Sequence, residues 1–544
     1  MNKIAHYLQE HLVGEILTSS DVCNHFSTDA SIFQVTPSLV AYPKNENDVR
    51  KIARFTWQLA ERGRVVPITA RGKGSDRSGG AIGSGVIVEF PAHMNKIIEL
   101  DGKSGNIVVE PGLNYGRLQQ TLHTHGRFLP AYPSSLDFST IGGAIANNAS
   151  GEKSAKYGDT RKYVKGLRVV LANGEVIETK RLSKRELSKK MGLSSFEGEI
   201  YRNLDKLIEE NKQVIEQINI DVSSNSAGYE IASVKLKNSF DLTPLLVGSQ
   251  GTLALVTEAS LSTELHSPHS TLIVAFLNSI ESLHSLTQDF SKLSDKPSMV
   301  ELVDQNFLSF VNTQNPNQLK GVVGSPLPKF GLLIELDLYN ERSRKKQSKK
   351  VVKLLNKYGA EYQLETSPEE KEKLYKLVNS KATVLSYNQD GKKALPIIDD
   401  ACIPLNRIAD YFSKVYELFT NYKLKFVVWG HLMTGNFNVQ PFFDISQIGD
   451  RQKMFKIMNL YYELVIDMGG TTGGSKNDGR LRGSFLQKLY GNQANELFNK
   501  IKAIFDPYGT LNPGVKVNTT LEAVKPLLRD DYTLNNFYDF ILKD

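Results

Sequence analysis

Cysteine is almost missing from this 544-residue chain, which carries only Cys23 and Cys402. Two isolated thiols build neither a disulfide framework nor an iron–sulfur spacing, and they fit a reducing compartment. Apolar runs of membrane-spanning length are absent too. At the N-terminus, charges together with His6 and His11 break any signal-type apolar stretch, so the segment reads as an amphipathic helix and a cytoplasmic protein is expected. Strong charge imbalance is lacking as well. A net +7 gives no argument for nucleic-acid binding and mildly favours anionic substrates or surfaces. The length exceeds one ordinary core, so two or three domains are expected.

What is present is a concentration of small residues between Pro133 and Gly151, where only Leu136, Phe138, Ile141 and Ile145 are bulky and apolar. Such a segment cannot make its own core. It suits backbone that approaches something large and flat, such as a cofactor, although a surface loop beside a hairpin has the same composition. The hairpin follows directly, with a strand over 166–172, an Asn173-Gly174 turn and a return over Val176–Thr179. Upstream, the pattern predicts a strand over 38–43, a helix over 49–62 after an Asn45–Asp48 cap, and strands over 65–68 and 85–90. Between those last two lies Arg71-Gly-Lys-Gly-Ser-Asp-Arg-Ser-Gly-Gly80. A loop of this kind turns backbone N–H groups toward an anion, which suits a diphosphate. It lacks the third glycine and the following helix of a dinucleotide fingerprint, and it has no Gly-Lys-Ser/Thr of a nucleotide P-loop. Further on come a strand over 105–112, a helix over 115–125, charged helices over 183–217, and at 245–258 an apolar strand, a Gly-Ser-Gln-Gly turn and a second strand.

Taken in order, the loop at 71–81, the 133–151 stretch, Lys156–Glu175 and Leu245–Ala259 resemble the FAD-binding domain of the para-cresol methylhydroxylase (PCMH) and vanillyl-alcohol oxidase superfamily, most similarly its D-lactate and glycolate dehydrogenase-like members. The resemblance implies an α+β fold: a helical N-terminal segment over 1–35, a two-subdomain PCMH-type FAD-binding domain over 36–265, and a mixed-sheet cap over 266–462. A segment over 463–520 would return to the flavin, and 521–544 reads as a polar helical tail. By the same resemblance, Arg71, Gly72, Lys73, Gly74, Ser75, Asp76, Ser78 and Gly79 would hold the diphosphate. Pro133, Ser134, Ser135, Thr140, Gly142, Gly143, Asn147, Asn148, Ser150 and Gly151, with Tyr157 and Gly158, would line the flavin and ribityl chain. Val256, Thr257 and Glu258 would meet the adenine side, and Asn512 would lie close to the ring. No histidine occurs in 71–81 to tether a flavin, so non-covalent FAD is expected.

In the cap, Gly430-His-Leu-Met-Thr-Gly-Asn-Phe-Asn438 and Gly473-Gly-Ser-Lys476 resemble segments that supply two histidines, a glutamate and a further histidine in the family, some members holding a divalent metal there. Here Asn438, Ser475 and Lys476 replace all but His431, and a metal needs about three protein ligands. No metal is expected. His431 is then the candidate proton acceptor, with an ordinary hydrogen-bonded histidine as the alternative. Lys476 is either a base with a burial-lowered pKa or a cation for a substrate carboxylate. The family's carboxylate-binding arginine has no counterpart at Val378 or Asn379, leaving Lys376, Lys381 and Arg480 as substitutes. The expected activity is oxidation of a D-2-hydroxy acid by hydride transfer to the flavin, with electrons passed to a quinone, cytochrome or partner protein. The alternatives are a non-carboxylate alcohol as substrate, or a flavin-binding protein whose catalytic site has decayed. The basic run Arg342–Lys350 reads as a solvated helix face, with docking on anionic lipid or an acidic acceptor as its functional alternative.

Overall fold

The computed structural model describes residues 3–533. Its first sheet has β1 (Glu15–Leu17), β2 (Leu39–Tyr42), β3 (Ile68–Arg71) and β4 (Val86–Glu89) in the order β1-β2-β4-β3, with β2, β4 and β3 parallel. The helix Glu46–Glu61 covers it. The Asn45 side chain accepts the Asp48 N–H at 3.1 Å, Glu46 and Asp48 sit in the first turn, and Val49, Ile52, Ala53 and Ala60 are buried on one face. Two expectations need correction here. The segment 1–35 is not helical throughout, because Glu15–Leu17 pairs antiparallel with β2, and a three-residue strand has no period to read. The strand expected at 65–68 instead starts at Ile68 and runs into the loop, so Arg71 is a strand residue.

The second sheet is antiparallel, with β5 (Ile97–Asp101), β6 (Asn106–Val109), β7 (Val164–Val170), β8 (Val176–Thr179) and β9 (Leu255–Ser262) in the order β5-β6-β9-β7-β8. The hairpin expected at 166–179 is present, closing at Val170 opposite Val176 with Gly174 at φ +87°. The first strand expected within 245–258 is not. Thr243–Leu246 is a helical turn with Pro244 in its opening position, where a missing N–H costs nothing.

The third sheet has seven antiparallel strands: β10 (Thr271–Leu277), β11 (Met299–Asp304), β12 (Phe330–Leu336), β13 (Glu361–Glu365), β14 (Lys393–Ala394), β15 (Phe426–His431) and β16 (Asn436–Phe443), in the order β13-β10-β12-β11-β15-β16-β14. Alternation along its strands makes two different faces. Ile273, Val300, Leu302, Ile334 and Val428 enter a large core with residues of the helices Ile280–Ser291, Ile408–Asn421 and Ile448–Asp467. Leu272, Val274, Met299, Leu333 and Trp429 pack on the other side against Leu374, Leu377 and Val378 of the helix Pro368–Asn379. Glu301 stands opposite His431, and Trp429 opposite Asn438, so all four lie on this second face.

The chain then returns to the first sheet. After the helix Leu486–Phe505, the buried Asp506 carboxylate accepts the N–H groups of Thr510 at 2.9 Å and Leu511 at 2.7 Å and pairs with Lys502 at 2.5 Å. This turn lays Asn512 against β3, its N–H donating to Ile68 O at 2.8 Å. A polar helical tail is expected over 521–544; within its described part, 521–533, the helical pieces are Leu521–Val524 and a short 3₁₀ turn, and 534–544 lie outside the described residues. Leu528 bridges to Phe33, while Arg529 and Tyr532 are buried. Asp506→Ala would leave the Lys502 ammonium buried without its counter-charge, which costs about 3–5 kcal/mol. A lowered denaturation midpoint is the expected result, and an unchanged one would contradict this account of the return segment.

Candidate functional site

Between the three sheets lies a cavity of about 720 Å³, within the ~300–1,000 Å³ of small-molecule sites. One wall is the loop after β3. Asp76 organises it, its carboxylate accepting the N–H groups of Ser78 at 3.0 Å and Gly80 at 2.7 Å. Gly72 has no room for a side chain, since a Cβ there would lie 2.3 Å from Thr140 Oγ1. Gly142 is equally closed, 2.7 Å from Pro111 Cβ and 2.8 Å from its carbonyl. The loop and the small-residue stretch are joined by Ser75 to Ser139 at 3.2 Å and Ser139 to Ser135 at 2.8 Å. This is a backbone cradle for an elongated, flat, anionic group.

Most of the residues singled out in sequence come together on this cavity: Arg71 to Asp76, then Pro133, Ser134, Ser135 and Thr140, and Gly142, Gly143, Asn147, Ser150 and Val256. Others do not line it. Ser78 folds back onto Asp76, and Gly79 packs on Phe33. Asn148 is fully buried, bonded to Asp159, Ser226 and the Arg161 N–H. Gly151 lies against Tyr132 O, the Tyr157 hydroxyl donates to Asp337 at 2.9 Å, and Gly158 turns the chain at φ +85°. Thr257 sits at a bulge and donates to Glu46 at 3.0 Å, while Glu258 is opposite Arg168, so only Val256 faces inward. Asn512 ties the backbone beneath the cavity, its amide donating to Gly80 O and Gln250 O at 2.8 Å each. Arg480 spends its guanidinium on the carbonyls of Ile82, Pro513 and Gly514 and does not reach the cavity, which removes it as a carboxylate clamp.

The opposite wall belongs to the third sheet and its helices, and it carries the reactive side chains. His431, at the end of β15, has its Nδ1 against the fully buried Glu301 carboxylate, whose other oxygen takes Lys381 Nζ at 2.6 Å. Burial pushes the Glu301 carboxyl up, but His431 and Lys381 together hold it down at about 2. Lys476 Nζ donates to Asn438 Oδ1 and to Asp399 O, at 2.5 Å each, and lies 3.3 Å from Asp399 Oδ2. Burial lowers its pKa, opposed by the neighbouring charges of Asp399 and Asp400. Asp399 also pairs with Arg77 at 2.9 Å and Arg482 at 3.3 Å. Burial alone would raise its carboxyl, and these cations bring it to about 2.

A divalent ion does not fit these donors. Asn438 Oδ1 is taken by the Lys476 ammonium, whose charge would repel a metal ion beside it, and the described residues contain no group of three or more His, Cys, Asp or Glu arranged around a metal position. Sequence reasoning missed Glu301, Lys381's partnership with it, Tyr375, Trp429 and the tail residue Tyr532 on this wall. Only the alternation of β11 signals Glu301, an acid on an otherwise apolar face.

The fold is that of PCMH-type flavoproteins. It matches p-cresol methylhydroxylase with substrate bound at a TM-score of 0.68 and 15% identity, covering 95% of this chain and 96% of that one. It matches 4-ethylphenol oxidase from Gulosibacter chungangensis at 0.68 and 14%, covering 95% and 97%. Residues 37–180 match the FAD binding domain family, and 266–515 match the FAD linked oxidases, C-terminal domain. The chain belongs to the flavoproteins that join these two domains, and its cofactor is FAD. Among curated relatives it is 29% identical over 541 residues to the D-2-hydroxyglutarate dehydrogenase of Escherichia coli (strain K12), covering 94% of this chain and 51% of that protein. It is 27% identical over 492 residues to the glycolate oxidase subunit GlcD of Bacillus subtilis (strain 168), covering 90% and 91%. The chain thus spans about half the length of the D-2-hydroxyglutarate dehydrogenases it matches.

Because the cradle excludes a Cβ at Gly72, Gly72→Val should weaken FAD retention by at least about tenfold, or 1.4 kcal/mol. The ratio of flavin to protein absorbance after dialysis reads this. Full flavin content in the variant would place the cofactor elsewhere.

Proposed function

We propose that the chain is an FAD-linked dehydrogenase of CH–OH donors whose substrate is a D-2-hydroxy acid of the lactate, glycolate or 2-hydroxyglutarate type. The carrying observation is the His431–Glu301 pair at the cavity wall. Bound FAD would supply the hydride acceptor for the substrate's α-carbon. With Glu301 ionised, His431 keeps its proton on Nδ1, leaving Nε2 to accept the substrate hydroxyl proton as the hydride departs. The Glu301 carboxylate then stabilises the imidazolium, as an orienting carboxylate does for a catalytic histidine. Lys381 holds the second carboxylate oxygen and keeps the acid from rotating away. Tyr375, Val378 and Leu385 close the cavity on the helical side, and Tyr532 closes it from the tail.

Electrons would leave to a quinone, a cytochrome or a partner protein. The cytochrome is supported by the name of one relative, from Arabidopsis thaliana, a D-lactate dehydrogenase [cytochrome]. Arg342, Lys346, Lys349 and Lys350 are exposed on the helix Glu341–Lys357 and are our candidate contact with an anionic surface or acceptor. No helix among the described residues is long and apolar enough to cross a membrane.

Anaerobic addition of D-lactate, glycolate or D-2-hydroxyglutarate is expected to bleach the flavin. Bleaching by uncharged alcohols alone would replace the hydroxy-acid reading, and bleaching by dithionite alone would leave a flavoprotein without this reaction. His431→Ala should slow reduction by about 10²–10⁴-fold, the range for losing a positioned base, while FAD stays bound. Stopped-flow absorbance checks it, and an undiminished rate would remove His431 from the reaction. Glu301 has a folded pKa near 2, below its ordinary 4.5. Its pairing therefore stabilises the fold above pH 4.5 and is lost as pH falls from 4.5 through 2. Glu301→Gln should flatten that acid limb of the stability curve, and an unchanged limb would show that Glu301 does not contribute to it.

A further inference from the structure

We infer that Arg77 and Asn438 form the binding site for the substrate's carboxylate, with Asp399 and Lys476 positioning them. The inference rests on the hydroxy-acid reading above. Neither residue reads as a substrate-carboxylate site in sequence, because Arg77 sits in the loop assigned to the diphosphate and Asn438 is a neutral amide.

The Arg77 side chain leaves its loop and reaches the third sheet, with Nε 2.9 Å from Asp399 Oδ2 and Nη2 donating to Gln440 Oε1 at 3.2 Å. Its Nη1 makes no hydrogen bond or ion pair with a described residue, and Arg77 lines the cavity. Asn438 precedes Gln440 by two residues on β16, so their side chains share a face. The Lys476 ammonium fixes the amide: an oxygen 2.5 Å from Nζ must be Oδ1, and the N–H₂ end is then the one left for the cavity, bonded to no described residue.

Charge points the same way. Arg77, Lys476 and Arg482 surround Asp399, and Asp400 beside it is the second acid acting on Lys476 and Arg482. Three cations meet two carboxylates in this cluster, in a place largely shielded from water. Lys381, the other cation on the wall, is committed to Glu301. Arg77 Nη1 would hold an anion through a charge-assisted bond, and Asn438 Nδ2 would add a second donor. Asn438 is opposite Trp429, which lies two residues from His431 on the same face. A carboxylate at Asn438 is therefore on the same face of the sheet as His431.

The test uses the FAD-loaded full chain and oxalate, a carboxylate with no hydrogen to give up. Oxalate binding, followed by perturbation of the flavin spectrum and by calorimetry, should weaken at least about tenfold in Arg77→Gln and in Asn438→Leu, with partial recovery in Arg77→Lys. Asn438→Asp keeps the shape and the Lys476 contact while adding a repelling charge, so it decides the matter if a larger change disturbs folding. Lys476→Met should raise KM for D-lactate more than KM for neutral lactamide, a split that general loss of structure would not produce. Oxalate that fails to bind the wild type, or binds it and the Arg77 and Asn438 variants alike, overturns the site. A wild type that binds oxalate through these residues yet is reduced by no hydroxy acid sinks the reaction and keeps the site. D-lactate turnover with unaltered KM in Arg77→Gln and Asn438→Asp does the reverse.

Discussion

One buried carboxylate ties the molecule together. Asp399 is fully shielded from solvent and surrounded by Arg77 from the loop after the first sheet, and by Lys476 and Arg482 from the returning C-terminal segment. Asp399 and these side chains come from three separate parts of the chain, with Lys476 and Arg482 sharing one of them. A buried acid with one partner would be a net cost, because desolvation outweighs a single attraction. Three cations and the consequent low pKa reverse that balance. The same cluster sets the distance between the cradle and the reactive wall, since moving the third sheet away would strip Asp399 of Arg77. A second bridge runs parallel to it, with Lys153 and Lys156 beside the small-residue stretch reaching Glu335 and Asp337 at the end of β12.

The reactive wall follows from the two-faced character of the third sheet. Its strands are apolar on both sides where helices cover both sides, so they read as continuous hydrophobic runs. Where the helix Pro368–Asn379 ends and Lys381–Ser386 begins, the cover is incomplete, and the same face carries Glu301, His431 and Asn438 in adjacent strands. A sheet holds such residues more firmly than a loop could, because each backbone is fixed by ladders on both sides. The pairing of Glu301 with Lys381 then makes the wall depend on how the two short helices dock.

Much of the fold could be read directly. The hairpin at Asn173-Gly174, the capped helix after Asn45 and the glycine-rich loop all have local causes, and they occur where those causes put them. The three-residue β1 and the helical turn at Thr243–Leu246 could not be read, since the first depends on a partner strand and the second replaces an apolar run of strand-like composition.

The site divides along the same line. Sequence by itself determined the cradle: glycines and small polar residues in two short stretches suffice, because its shape comes from backbone and from the room left by missing side chains. It also determined that His431 stands at a strand end. Tertiary structure alone decided which charged side chains meet. That Glu301 would orient His431, that Arg77 would leave its own loop for Asp399, and that Arg480 would turn to backbone carbonyls are outcomes of register and domain docking. Residues 130 and 322 positions apart become neighbours only when sheets assemble. Local spacing carries no trace of that, whereas a loop's shape is written in the loop.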